Sequence, residues 1–291
     1  MSIVLDNISY VYGAHTPYEK KALDGVTLEI HEGEFLGIIG HTGSGKSTLV
    51  QHLNGLLHPT SGKVTVNDVD LADKTEEARN MRHTVGMVFQ YPEHQLFEET
   101  IAKDIAFGPR NLGLSEEEVD ERVREAMKFV GLDYDTYAER SPFHLSGGQM
   151  RRVAIAGVVA LNPSYLILDE PSAGLDPFGR EEIFDEIIRL HKEKGITVAL
   201  VSHNMEDISR MATRLIVLDG GHVILDDEPL TIFMHHREEL QKAGVDVPPV
   251  SVLMETLKHR GLPVSTEVRN VDDAVMAIEK ALKEQEVHHA E

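Results

Sequence analysis

Mostly apolar runs alternate with amphipathic helical stripes along the middle of the chain. These runs predict strands that are buried on both faces, and they lie at residues 35–39, 84–89, 165–168, 196–201 and 214–218. Between them, apolar positions recur at the spacing of a helix face, as in residues 183–188, which precede Gly195. Strands that alternate with helices predict an α/β fold with a mostly parallel sheet and helices on both of its faces.

Near the amino terminus the pattern changes to alternation of single residues. Ile8, Tyr10 and Tyr12 occupy alternate positions, and so do the apolar residues of segment 26–30. Such alternation predicts antiparallel strands with one buried face. We therefore expect an antiparallel β subdomain in this part of the chain.

Two capping patterns predict helices between the apolar runs. Ser115 begins a capping box, and the helix that follows is expected to run to about Val130. Ser146 is placed to cap a second helix, which we expect to reach Leu161. Together these helices predict an α-helical subdomain at about residues 91–162.

The alternation of strands and helices stops after about residue 233. Two helices are expected beyond it, one ending at Gly261 and one capped by Asn270. Their apolar positions are Val252, Leu253 and Leu257 in the first and Val271, Ala274, Val275, Ile278 and Leu282 in the second. Local packing and a partner surface both explain such stripes. We predict a main domain at residues 1–233 and a small α-rich appendage at 234–291 that supports dimerisation.

The composition excludes several classes of protein. Among 291 residues, 41% are hydrophobic and 26% are charged, as in an ordinary globular protein. The formal net charge of −21 disfavours binding to nucleic acid, which requires clustered positive charge. There is no cysteine, so disulfides and thiolate metal sites are excluded. The first residues lack a signal-peptide pattern, and no apolar run approaches the ~20 residues of a membrane span. Any membrane association is therefore expected to go through a partner.

A glycine-rich stretch follows the first buried strand and precedes a helical stripe. It fits the phosphate-binding pattern G-x-x-x-x-G-K-[ST]. In such a loop, backbone N–H groups and the start of the helix converge on phosphate oxygens. Lys46 can reach the β- and γ-phosphates, and the Ser47 hydroxyl can bind Mg²⁺. We expect a nucleoside triphosphate at Gly40, His41, Thr42, Gly43, Ser44, Gly45, Lys46, Ser47 and Thr48.

Two more motifs carry chemistry that suits such a nucleotide. The strand at 165–168 ends in Asp169 and Glu170, which are placed to hold Mg²⁺ and to polarise the water that attacks the γ-phosphate. A second anion cradle lies at a helix start, where two glycines follow a serine. Its residues are Leu145, Ser146, Gly147, Gly148 and Gln149.

In residues and in order, these motifs resemble those of the ATP-binding cassette ATPases. The resemblance covers residues 3 to about 228. It implies a P-loop NTPase fold, hydrolysis of ATP, and two nucleotide domains that close head to tail. In that arrangement the second cradle, called the signature, caps the ATP held by the phosphate-binding loop of the other domain.

The same resemblance implies roles for single residues. Tyr12 matches the aromatic residue that stacks on adenine, although a core tyrosine is an alternative interpretation. Gln90 matches a glutamine that contacts Mg²⁺ and water, and His203 matches a histidine that contacts the γ-phosphate. Asp176 ends the segment 172–176, which matches the D-loop that crosses the dimer. The implied catalytic residues are Glu170, His203 and Gln90, and the implied metal ligands are Ser47, Gln90 and Asp169.

A narrower resemblance is to the ATPases of energy-coupling factor transporters, and to the second of their two types. It is carried by residues 89–100, 104–111 and 149–154, by His41 and by the helical carboxy-terminal extension, and residues 91–95 match the second type. It implies an importer of a vitamin or a transition-metal ion. The implied partners are a second ATPase (a paralogue or a second copy), a transmembrane coupling subunit and a substrate-binding membrane subunit. The implied location is peripheral, at the cytoplasmic face of the cell membrane.

The segment after Gln90 is acidic and has apolar residues at helix-compatible spacing. We expect apolar residues to line the floor of a groove and carboxylates to form its edge. The floor residues are Leu96, Phe97, Ile101 and Ile105, and the edge residues are Glu93, Glu98, Glu99 and Asp104. A solvated acidic helix is the alternative interpretation. In the related transporters the coupling subunit inserts arginine-bearing helices here, so we expect these glutamates to pair with arginine.

Two other functions use the same motifs. Cassette ATPases of DNA repair or chromosome maintenance carry long coiled-coil insertions, whereas segment 49–144 shows no sustained heptads. A regulator that binds nucleotide without hydrolysis is expected to lack Glu170 or His203, and both are present. The sequence therefore favours a transport ATPase.

Overall fold

The computed structural model describes the backbone of residues 2–290 and the side chains of residues 2–284. It contains two compact units. The first consists of Met1–Glu34 and Ser47–Val201, and the second of Phe35–Lys46 and Ser202–Glu291. The boundary predicted near residue 233 stays a prediction.

The strands lie where the apolar pattern predicts them, with additions in the first hundred residues and after β9. They are β1 (Ser2–Tyr12), β2 (Lys20–His31), β3 (Phe35–Ile39), β4 (Ser61–Val66), β5 (Val69–Asp70), β6 (Val85–Val88), β7 (Tyr165–Asp169), β8 (Thr197–Val201), β9 (Arg214–Asp219) and β10 (His222–Asp227).

The α-helices are more numerous than the periodicity predicts. They are α1 (Lys46–Leu53), α2 (Glu76–His83), α3 (Ile101–Asn111), α4 (Glu116–Phe129), α5 (Tyr134–Tyr137), α6 (Gly147–Val159), α7 (Pro177–Lys194), α8 (Met205–Met211), α9 (Pro229–His235), α10 (Arg237–Lys242), α11 (Pro249–His259) and α12 (Val271–Ala290). Short 3-10 helices lie at Pro92–Gln95 and Pro142–His144. Within residues 2–290, no helix combines the length and the hydrophobicity needed to cross a bilayer.

The first unit contains the predicted antiparallel sheet, with strand order β2-β1-β4-β5. Its register places Ile3 opposite Ile30 and Leu5 opposite Leu28, so that these apolar side chains bury one face of the sheet. The register shifts after Leu5, where Asn7 has a φ of 48°. The expected antiparallel subdomain is confirmed.

Each unit also contains parallel strands with buried side chains. In the first, β6 pairs with β7 and β7 with β8, all parallel. In the second, β3 is parallel to β9, and β10 is antiparallel to β9. The predicted α/β class with mostly parallel central strands is therefore confirmed. These strands end next to the polar motifs of the sequence, which gives the motifs their positions.

The helical subdomain is built from α3, α4 and α6, which pack on one another. Ser115 forms the predicted capping box with Glu118 at the start of α4. Ser146 forms a second one with Gln149 at the start of α6, where sequence analysis predicted only a cap. This helix ends at Val159, two residues before the expected end at Leu161.

The last two helices enclose a small core of their own. Val250 and Met254 of α11 pack with Val264, Val268, Ala274 and Ala281. Asn270 Oδ1 accepts a hydrogen bond from Asp273 N, as expected of a cap. The predicted apolar stripes are only partly buried, because Val252, Leu253, Val271, Val275 and Leu282 are exposed. On α12, Ala274 and Ala281 are buried, and the larger Ile278 packs partly buried against the same core.

Candidate functional site

The glycine-rich loop leaves β3 and enters α1 along a path that requires glycine at its first position. Gly40 has a φ of 152°, and a Cβ there would lie 2.3 Å from the Leu218 carbonyl oxygen and 2.6 Å from Ser44 Oγ. The loop also contacts the turn between β9 and β10, where Gly221 N donates to Ser44 O at 3.0 Å. Its curled shape is therefore fixed by β9 and by the following turn.

Two side chains of this loop are prepared for a buried anion. Lys46 is only 6% exposed, and its Nζ donates to the Gly40 and His41 carbonyl oxygens at 2.7 and 2.9 Å. Within the described part of the chain, the buried Ser44 Oγ has no hydrogen-bond partner. A buried hydroxyl without a partner costs free energy, and a phosphate oxygen would remove that cost. The loop therefore fits the predicted phosphate.

An acidic residue outside the loop, which sequence analysis did not identify, forms a hydrogen bond with His41 of the loop. His41 Nε2 lies 3.0 Å from Asp219 Oδ1, and His41 Nδ1 lies 2.8 Å from the Thr42 carbonyl oxygen. Asp219 is the last residue of β9, 178 positions from His41 in sequence, so no local pattern identifies it.

Tyr12 lies at the end of β1 and is 41% exposed, which leaves its ring accessible to a base. Its hydroxyl is 3.2 Å from Thr48 Oγ1, and its ring packs edge-on against Tyr10 at 4.8 Å. Tyr10 in turn packs on the buried His52, whose Nδ1 lies 2.7 Å from the Thr48 carbonyl oxygen. Burial lowers the pKa of His52, which favours the neutral form of the imidazole that packs against Tyr10.

Gln90 and Glu170 meet just past the ends of the adjacent parallel strands β6 and β7. Gln90 Nε2 donates to Glu170 Oε2 at 3.2 Å. Glu170 has a φ of 51°, and its N–H donates to the Val201 carbonyl oxygen of β8 at 3.0 Å. Asp169, the last residue of β7, is buried. A left-handed φ in a glutamate is strained, and such strain concentrates at functional sites.

The signature is the start of α6. The Gln149 side chain accepts from Ser146 N at 3.2 Å, and Gln149 N donates to Ser146 Oγ at 3.3 Å. A Cβ on Gly147 would meet nothing within 4 Å, and one on Gly148 would meet only Leu175 at 3.6 Å. The first turn of this helix is therefore open to a ligand, and its backbone N–H groups suit an anion.

The remaining predicted residues lie near the starts of helices. Asp176 caps α7, because its Oδ1 accepts from Gly179 N at 2.7 Å. His203 is exposed and follows the last residue of β8 by two positions. Among residues 2–284, no three histidine, aspartate or glutamate side chains form a metal-binding group. A cation held by Ser47, Asp169 and Gln90 would therefore rely on oxygen ligands from the nucleotide as well.

The expected acidic groove needs correction. Leu96, Ile101 and Ile105 are buried in the helical subdomain, so they do not line a groove floor. Of the four predicted floor residues only Phe97 is exposed, and its ring meets that of the exposed Phe107 edge to face at 4.9 Å.

Glu93 is engaged inside the chain rather than at the predicted edge. Both of its oxygens accept from Arg151, at 3.0 Å each. Glu99 pairs with Lys103 at 3.0 Å, and both side chains are largely exposed. Of the other predicted carboxylates, Glu99 is exposed and Glu98 is half-buried, whereas Asp104 Oδ2 accepts from Phe97 N and Glu98 N at 2.9 Å each.

Comparison with known proteins identifies the family of this chain. The family model described as "ABC transporter" matches residues 23–173 of the chain. This segment contains the glycine-rich loop, Gln90, the signature, Asp169 and Glu170. It covers about half of the chain.

Curated relatives match nearly the whole chain. The energy-coupling factor transporter ATP-binding protein EcfA2 of Clostridium tetani is 55% identical over 284 residues, which are 98% of this chain and 96% of the relative. The protein of the same name from Bacillus cereus is 46% identical over 286 residues, covering 97% of each chain.

Solved structures have the same fold. CbiO1 from Clostridium perfringens, part of the ABC transporter complex CbiONQ, is 35% identical with a TM-score of 0.72, covering 87% of this chain and 98% of that one. The dimeric post-hydrolysis state of the ATP-binding cassette MJ0796, bound to ADP and Pi, is 32% identical with a TM-score of 0.70, covering 78% and 98%. The chain is therefore an ATPase of the ABC transporter family, and it belongs to the energy-coupling factor transporter ATP-binding subunits of the second type.

Proposed function

We propose that this chain hydrolyses ATP to drive an energy-coupling factor importer for a vitamin or a transition-metal ion. The observation that carries the proposal is the 3.2 Å hydrogen bond between Gln90 and Glu170 at the ends of β6 and β7. It joins the residue proposed to respond to the membrane partner with the residue proposed to act on water. Hydrolysis and transport then share one hydrogen-bonded pair.

The glycine-rich loop is proposed to hold the β- and γ-phosphates. Lys46 supplies a positive charge, and Ser44 Oγ, which has no partner among the described residues, is proposed to donate to an oxygen of the β-phosphate. Tyr12, with its ring exposed, is proposed to stack on the adenine. His203 is proposed to contact the γ-phosphate.

Mg²⁺ is the proposed cation, with Ser47, Asp169 and Gln90 as the residues that hold it. All three present oxygen atoms, which Mg²⁺ prefers, and the phosphates supply further oxygen ligands. Bound there, it would neutralise charge on the β- and γ-phosphate oxygens.

Glu170 is the proposed base for the attacking water. As the water oxygen bonds to the γ-phosphorus, the bond to the oxygen of ADP breaks, and Glu170 accepts the proton of the water. The Gln90 amide, which donates to Glu170 Oε2, keeps that carboxylate facing the strand ends.

A head-to-tail dimer with a second ATPase completes each proposed site. The open first turn of α6, with Ser146, Gly147 and Gly148, supplies N–H donors for the phosphates bound by the other subunit. Asp176 is proposed to lie at the same subunit boundary. The exposed face of α12, with Val271, Val275 and Leu282, is proposed as an additional dimer contact, since it leaves large apolar side chains in water.

A transmembrane coupling subunit is the proposed partner of the surface formed by Phe97, Phe107, Glu98 and Glu99. The two rings offer apolar area, and the glutamates offer charge to arginine. A substrate-binding membrane subunit would then select the cargo. The chain itself is proposed to lie peripherally, at the cytoplasmic face of the membrane.

The test is purification of the tagged chain from detergent-solubilised native membranes, with identification of the subunits that co-purify. Glu98→Arg, alone and with Glu99→Arg, is expected to lower the yield of complex and substrate uptake, while the isolated chain still binds ATP. Glu117→Arg, an exposed position in the first turn of α4, is the matched control.

Reversal of an arginine on the coupling subunit should restore assembly with the Glu98→Arg chain. Unchanged complex yield and uptake in the double variant would remove this surface from the proposal. Recovery of the chain without any membrane subunit would contradict the transport function itself.

A further inference from the structure

Arg151 is a buried cation at the point where three functional segments meet. It lies on α6, five residues after Ser146, and its side chain is only 3% exposed. Nε and Nη2 donate to the two carboxylate oxygens of Glu93 at 3.0 Å each. Nη1 donates to the Ala173 carbonyl oxygen in the D-loop.

This arrangement fixes the side chain firmly. Burying a guanidinium costs free energy unless good geometry and further hydrogen bonds compensate for lost hydration. Here the bidentate ion pair with Glu93 and the hydrogen bond to the Ala173 carbonyl oxygen provide that compensation. Removing one partner would leave a buried charge uncompensated, so the contact holds its segments together.

Both partners of Arg151 lie three residues beyond a member of the hydrolytic pair. Glu93 follows Gln90 by three positions, and Ala173 follows Glu170 by three. Ala173 N donates to the Glu170 carbonyl oxygen at 3.1 Å, which links the D-loop to Glu170 directly. The guanidinium is therefore attached to both segments that present Gln90 and Glu170.

The turn between Gln90 and Glu93 is held in an uncommon conformation. Tyr91 has φ and ψ of 56° and 57°, in the left-handed region that disfavours a bulky residue. The guanidinium carbon of Arg151 lies 5.9 Å from the centre of the Tyr91 ring. Such strain persists only where surrounding contacts enforce it, and the pair of Glu93 with Arg151 supplies such a contact.

We propose that Arg151 is a positioning residue that sets the contact between Gln90 and Glu170. Because it lies on the helix that begins with the signature, it also links the signature of this subunit to its own hydrolytic pair. The inference rests on the proposed role of Glu170 in hydrolysis. The proposal adds Arg151, which lies outside the known motifs, to the residues that control hydrolysis. It also connects the signature, which serves the other subunit's site, with the hydrolytic pair of this subunit.

The test is steady-state ATP hydrolysis by the complete transporter carrying Arg151→Met. We expect kcat to fall about 10- to 100-fold, since small misplacements of catalytic groups have effects of that size. KM and ATP affinity should stay within about twofold, because the hydrogen bonds of Arg151 go to Glu93 and Ala173. Arg124→Met is the matched control, since Arg124 forms an exposed ion pair with Asp120 on α4.

A merely structural role is distinguished by a double-mutant cycle. If Arg151 acts through Glu170, Arg151→Met should cause no further loss of turnover in a Glu170→Gln background. The exchange of Arg151→Glu with Glu93→Arg should recover part of kcat. Should Arg151→Met fail to fold, Arg151→Lys and Glu93→Gln test the same quantities with smaller changes.

Normal kcat in the Arg151 and Glu93 variants, beside an inactive Glu170→Gln protein, would overturn this proposal alone. A raised KM with unchanged kcat, or losses that multiply in the double variant, would overturn it as well. Full turnover by Glu170→Gln would overturn the proposed function, and the inference with it.

Discussion

Replacement of Glu170 by glutamine changes the proposed base and little else. Glutamine has nearly the same size, and its side-chain oxygen can still accept the hydrogen bond from Gln90 Nε2, now 3.2 Å long. A left-handed φ of 51° is equally demanding for both residues, so the backbone strain is unchanged. Because Glu170 is only half-buried, we expect the free energy of unfolding to change by about 1 kcal/mol or less.

The chemical step should suffer far more. Loss of a positioned base costs about 10²- to 10⁴-fold in rate. At about 1.36 kcal/mol per tenfold, this raises the activation free energy by roughly 2.7–5.4 kcal/mol. A variant that folds and binds ATP normally but hydrolyses it this slowly should accumulate in a closed, ATP-bound dimer.

The assay is ATP turnover by complexes purified from cells without a wild-type copy, with ATP binding and sedimentation measured on the same preparation. Glu117→Gln, on the exposed first turn of α4, should match the unaltered protein in all three. Near-normal turnover by Glu170→Gln would refute the assignment. Loss of ATP binding together with turnover would instead indicate a damaged pocket.

Three further predictions concern the cation, a buried histidine and the carboxy-terminal helices. Excess EDTA should abolish hydrolysis and added Mg²⁺ should restore it; full activity in EDTA would show that the phosphate site is misassigned. Burial lowers the pKa of His52, so the unfolded chain binds more protons below about pH 6.5, and stability should fall as pH drops through that value. The His52→Gln variant should lack this part of the pH dependence. If the unfolding free energies of the variant and of the unaltered protein change equally between pH 7 and pH 5, the prediction is wrong. Truncation near residue 236 should weaken dimerisation in sedimentation experiments while ATP binding remains; unchanged association with lost binding would reverse the assignment.

Sequence analysis was most successful where the signal is local. The strand, glycine-rich loop and helix around Lys46 are adjacent in sequence, so spacing alone identifies the motif. The capping box of Ser115 and the left-handed Gly195 that ends α7 are equally local. In each case the residues that satisfy the backbone conformation or its hydrogen bonds lie within a few positions of one another. Such patterns can be recognised in the sequence without knowledge of the tertiary structure.

Contacts between distant segments were not predictable in this way. Glu93 and Arg151 are 58 positions apart, and each lies in a segment with other charged residues. Glu93 therefore matched a solvated acidic edge, although the fold buries its partner. The apolar stripe on α12 shows a related limit. Periodicity predicted one apolar face, but in the structure Ala274 and Ala281 are buried, whereas the larger Val271 and Leu282 are exposed.

Because Glu93 is paired with Arg151, a membrane partner would have to influence Gln90 and Glu170 through other residues than Glu93. A direct ion pair to Glu93 would have to break a bidentate contact with a side chain that is 3% exposed, at the cost of an uncompensated buried charge. A partner that binds the exposed Phe97 and the half-buried Glu98 needs no such exchange. Glu93 lies in the 3-10 helix Pro92–Gln95, and Arg151 joins that helix to the Ala173 carbonyl oxygen of the D-loop. Under this arrangement, docking and hydrolysis are connected through the Arg151 contact, and weakening that contact should lower ATP turnover and substrate uptake while the complex still assembles.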